Sequence, residues 1–137
     1  MVERIVHDGA MLGLIVRAGF HKEGIEFFTP DDFSQQLAYM NRPAGYTIPP
    51  HTHNKVPREV HKTLETLFIR SGRMRVDFYT AAQLFVDSRE IAAGDVLLLV
   101  AGGHGFEILE PTEFIEVKQG PYAGDQDKVR FEGVRHV

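Results

Sequence analysis

Turn-forming residues break this chain about every ten residues, and few windows carry apolar side chains at helical spacing. Only short strands fit between such breaks, so the chain reads as all-β, a sandwich or barrel. Residues 11–17 form a strand-like run closed by Gly19. Residues 24–29 form a second, closed by Pro30, Asp31 and Asp32, and residues 35–40 a third, followed by a turn at 42–45. A helix over residues 31–39 competes with the third run, since Asp32 would cap it and Phe33, Gln36, Leu37 and Met40 would share one side. Further strand-like runs occupy residues 65–70, 74–80, 83–87, 95–100, 106–109 and 113–118. Ser71 and Gly72 are a turn signal between the first two of these, which are expected to form a hairpin.

The run Val96, Leu97, Leu98, Leu99, Val100 is apolar on both faces. A strand of a lone antiparallel sheet with one wet face alternates instead. Its second face therefore needs a cover, and a homodimer is the expectation. The competing explanation is a strand from the N-terminal half covering it within one chain.

The chain has 137 residues, 43% of them hydrophobic and 25% charged, which is one ordinary domain with enough core to fold without staples. It has no cysteine, so disulfides and thiolate metal sites are excluded. Its net charge of −4 disfavours a nucleic-acid partner. No run approaches the roughly 20 apolar residues of a membrane helix. The first residues lack the basic and apolar regions of a secretion signal, so the expected location is the cytoplasm.

His51 and His53 are one residue apart, and on an extended strand their imidazoles would share a face. A carboxylate from a neighbouring antiparallel strand can join them, and Glu65, expected to share a face with Leu67 and Ile69, is the candidate. Imidazole with carboxylate is a ligand set for a divalent transition metal, and Fe, Mn, Ni, Co, Cu or Zn all suit it. A buried carboxylate without a partner is costly, and an ion removes that cost.

The pattern Gly45-x5-His51-x-His53, followed by Glu65-x6-Gly72, resembles the first motif of the cupin superfamily. The stretch Gly94, Asp95, Val100, Gly102, His104 resembles its second motif, with two departures: Val100 stands where the family has proline, and His104 comes one residue early. The gap between His53 and Glu65 is also longer than the family's. Residues 116–128 are similar to the tail of small cupin metalloproteins of surface-polysaccharide gene clusters. The resemblance implies a single cupin domain over residues 1–137, a jelly-roll β-barrel with its motif region at about 45–109. It also implies His104 as a fourth metal ligand beside His51, His53 and Glu65. The glycines around His104 permit a bulge, which would correct its facing.

Arg58, His61 and Lys62 lie between the two halves of the first motif, and at a site mouth they would attract an anionic ligand. Lys118 and Tyr122 are further candidates for contacting substrate; Lys118 shares a strand face with Glu116. His7, His21 and His136 are assigned no role. The expected function is an enzyme that uses the ion to polarise a small polar or anionic metabolite, such as a sugar-like compound or organic acid, for isomerisation or epimerisation. Iron would instead make a dioxygenase. The alternative is a binding or sensing module without turnover, since a fold does not fix a function.

Overall fold

A computed structural model describes residues 1–135. His136 lies outside the described residues. The chain forms two compact units: Met1–Phe20 together with the chain from Lys62 onward, and His21–His61. Among the described residues, all regular elements except one short 3-10 turn are strands, and every strand pair is antiparallel. No helix among the described residues is long and apolar enough to cross a membrane.

The larger unit begins with β1 (Val2–His7) and β2 (Ala10–Val16). Asp8 and Gly9 join them with φ of 49° and 76°, the left-handed pair that a tight hairpin turn demands. After Lys62 come β5 (Glu65–Ser71), β6 (Arg73–Tyr79), β7 (Phe85–Ala92), β8 (Val96–Leu99), β9 (Gly103–Ile108) and β10 (Glu113–Lys118). They build a five-stranded sheet in the order β1-β2-β8-β5-β10 and a three-stranded sheet in the order β7-β6-β9. Ile15, Leu67, Leu97 and Leu99 from the first sheet pack against Met74, Val76, Phe78 and Ile91 from the second. Each such side chain contributes about 1.5–3 kcal/mol on burial. Neither sheet closes on itself, so among the described residues the larger unit forms no closed barrel.

The expected hairpin between residues 65–70 and 74–80 is absent. β5 pairs with β8 and β10, whereas β6 pairs with β7 and β9. Gly72 is a corner where the chain leaves one sheet for the other. Its φ is +87°, and a Cβ there would sit 2.1 Å from the Pro111 carbonyl oxygen, so only glycine fits.

β8 lies between β2 and β5 and is apolar on both faces, as its sequence requires. Leu97 and Leu99 face the core. Leu98 and its cross-strand neighbour Leu14, on the opposite face, have no exposure within a single chain. The second face of β8 therefore needs no second subunit to shield it.

In the smaller unit β3 (Gly24–Phe27) pairs with β4 (Ala38–Asn41). The competing helix over residues 31–39 does not form. Gln36 Nε2 donates to the carbonyls of Pro30 and Phe33 at 2.8 Å each, holding this segment as turns. Residues 42–61 carry no strand, so the extended strand expected under His51 and His53 is not there.

Candidate functional site

Strand register builds the candidate site. Residues opposite one another on neighbouring strands share a face. Gly13, Leu99, Glu65 and Lys118 thus form one row across β2, β8, β5 and β10, on the core side of the five-stranded sheet. In the facing sheet, His104 on β9 stands opposite Phe78 on β6 and shares its inward direction. Phe78 packs onto Gly13, where a Cβ would lie 2.6 Å from the ring. One strand over, His104 reaches Glu65: Nε2 is 3.2 Å from Oε2.

No bulge turns His104 inward. The β6–β9 register runs without a shift from Tyr79↔Gly103 to Met74↔Ile108. β8 and β9 belong to different sheets, and the chain changes sheet at Gly102, whose φ is +70°. Counting alternation from β8 through this corner therefore has no meaning, and the one-residue offset in the motif does not misdirect the imidazole.

Glu65 is 9% exposed and alternates as expected with Leu67 and Ile69, both buried, while Phe68 and Arg70 face outward. The carboxylate is not alone, however. Lys118 Nζ lies 3.6 Å from Oε1, on the oxygen that His104 does not touch. The hydrogen bond from His104 holds the Glu65 carboxyl below the usual carboxylate range; burial pushes the other way, and Lys118 adds to the lowering. A carboxylate only accepts, so His104 carries its proton on Nε2 in this contact.

Lys118 also pairs with Asp127 at 3.3 Å, and the Thr63 hydroxyl donates to the other oxygen of Asp127. Asp127 ends the 3-10 turn η1 (Gly124–Asp127). Beyond it, Phe131 packs edge-on against Tyr79 with centroids 5.1 Å apart, and Arg135 reaches Asp77 at 3.3 Å. The segment after β10 therefore runs from the five-stranded sheet to the three-stranded one. Thr63 and Asp127 were not legible as site residues. Lone threonines and aspartates in turns carry no periodic signal, and only the register of Lys118 brings them in.

In the smaller unit the rings of His51 and His53 lie 5.2 Å apart, edge to face. His51 Nδ1 is 3.0 Å from the Pro49 carbonyl oxygen, which fixes the proton on Nδ1 and leaves Nε2 free to act as a ligand. Arg58 and His61 are exposed, with His61 3.5 Å from Glu59. Lys62, in the larger unit, is exposed. Tyr122 is 95% exposed. Within either unit, among the described residues, no three His, Cys, Asp or Glu side chains gather as a metal site.

A depression of about 430 Å³ is lined by Arg17, Arg75, Ser88, Arg89, Glu90 and Arg135. Its guanidiniums are already committed: Arg17 to Glu3 and Asp95, Arg75 to Asp77 and Glu107, Arg89 to Glu3 and Asp87. It is a network of ion pairs with at least as many carboxylates as cations, and it offers an anion little.

Compared with known proteins, the chain matches no family model, no curated protein and no solved structure.

Proposed function

We propose that this is a cytoplasmic cupin of jelly-roll type. In this reading it acts on a small polar or anionic metabolite at a divalent metal, with Glu65 and His104 as two of the ligands. The observation that carries the proposal is the 3.2 Å approach of His104 to Glu65 from opposite sheets. Two donors that each bind one ion at about 2.0–2.2 Å, near tetrahedral or octahedral angles, stand roughly 3 Å apart, so the pair has the spacing of one edge of a coordination shell. The rings of His51 and His53, the other two ligands that the cupin resemblance implies, are adjacent to each other in the smaller unit. When bound, the ion would supply Lewis acidity toward a carbonyl or hydroxyl. Glu65 would hold it together with His104, whose Nε2 would release to solvent the proton it gives Glu65, and Lys118 would hold the ligand's negative charge. Isomerisation or epimerisation suits that set, and oxygen activation does if the metal is iron. A homodimer would bury Phe68, Ile115 and Val117, which share the outer face of β5 and β10 and are exposed.

Titration with cobalt(II), followed by calorimetry and visible absorption, tests the metal. Wild type is expected to bind one equivalent, and Glu65→Gln and His104→Ala each to lose it. Retention of tight binding in both variants refutes the assignment.

Lys118 favours a second reading. With His104 it already compensates the Glu65 charge, so burial of this carboxylate does not require an ion. The same pocket would then be a metal-free binding or sensing site, and a wild-type protein that takes up no cobalt(II) while still binding a small anion would establish it.

A further inference from the structure

Lys118 faces two carboxylates at once, Glu65 at 3.6 Å and Asp127 at 3.3 Å. The two are held very differently. Glu65 sits within β5 and is buried. Asp127 ends a 3-10 turn that has no buried residue and no side-chain bond at its N-cap. Few apolar contacts hold such a turn, so moving it costs little. Yet both Asp127 oxygens are engaged, one by the Lys118 ammonium and one by the Thr63 hydroxyl. One cationic and one neutral donor, each aimed at a different oxygen, make a carboxylate receptor.

We propose that Lys118 and Thr63 form a carboxylate subsite whose resident occupant is Asp127, and that the small molecule bound beside Glu65 is a carboxylic acid whose carboxylate displaces Asp127. This rests on the reading of Glu65 and His104 as a small-molecule site. Charge selects the class. Exchanging one monocarboxylate for another leaves the balance on Lys118 unchanged. Phosphate would bring a second negative charge beside Glu65, and a neutral sugar would gain nothing by displacing a carboxylate from an ammonium. Asp127 is thus an internal competitor, and the apparent affinity for an acid is reduced by the fraction of molecules in which Asp127 remains on Lys118.

Pyruvate is a suitable probe, with acetamide and inorganic phosphate as controls, measured by calorimetry at neutral pH on the full chain. Asp127→Asn is expected to bind pyruvate roughly tenfold more tightly than wild type. Lys118→Met is expected to abolish binding, Thr63→Val to weaken it, and acetamide to bind none of the proteins. Circular dichroism verifies that each variant folds; Asp127→Asn, in an unburied turn, is the variant on which the test depends. Unchanged or weaker pyruvate binding in Asp127→Asn, no pyruvate binding in any protein, or tighter binding of phosphate than of pyruvate overturns the proposal. Cobalt(II) titration of the same samples separates the two ideas. Loss of the pyruvate effect with metal binding intact defeats the subsite alone, whereas absence of metal binding with the pyruvate effect intact defeats only the metal.

Discussion

Replacing Glu65 by Gln keeps the shape of the side chain and removes its charge. The carboxylate takes one charge-assisted contact from His104 at 3.2 Å and one from Lys118 at 3.6 Å. A buried contact of this kind is worth about 1.5–3 kcal/mol. Here both partners are 30% exposed, so water screens part of that, and Gln still accepts a hydrogen bond from His104. Lys118 keeps Asp127 as a partner in the variant. The expected loss at neutral pH in EDTA is therefore about 1–2 kcal/mol, at and below the lower end of that range because of the screening. Acid should erase it. The folded-state pKa of Glu65 lies below its ordinary value of 4.5, so its contribution is complete above that value and is lost as the pH falls through the depressed one. Urea unfolding of both proteins from pH 7 down to pH 3, followed by far-ultraviolet circular dichroism, measures the gap. A constant gap across that range, or a variant as stable as wild type at pH 7, would show that Glu65 is not ion-paired in the folded protein.

Two further substitutions probe the frame that positions the site. Gly13→Ala puts a methyl group 2.6 Å from the buried Phe78 ring, and overpacking of this kind costs about 1–3 kcal/mol; a thermal midpoint equal to that of wild type would contradict the packing of Phe78 onto Gly13. Asp95→Ala removes an acceptor that takes the Ala18 and Ala92 amides at 2.8 Å each and Arg17 at 3.1 Å. It leaves those donors without the carboxylate and is expected to cost about 2–4 kcal/mol in urea unfolding.

Much of the strand pattern was legible because alternation and turn residues are local signals. Residues 11–17, 24–29 and 113–118 fall on β2, β3 and β10, and the facing of Glu65, Leu67 and Ile69 follows from period two. β1 went unread even though Asp8-Gly9 is a strong hairpin signal. Sheet membership was not legible. Gly72 and Gly102 look like ordinary turns in sequence, and only the closeness of Pro111 to one and of the Tyr79 carbonyl to the other shows that each carries the chain into the opposite sheet. The long-range partners of Lys118 were hidden for the same reason: register across β5 and β10, and then the turn ending at Asp127, decide them.

Gly72 and Gly102 distribute the two halves of the Glu65–His104 contact between opposite walls of the sandwich. Their separation therefore works as a caliper on the core. A change in the thickness of the apolar filling between the walls, even one made several residues away, opens or closes the jaws that meet at this carboxylate and imidazole.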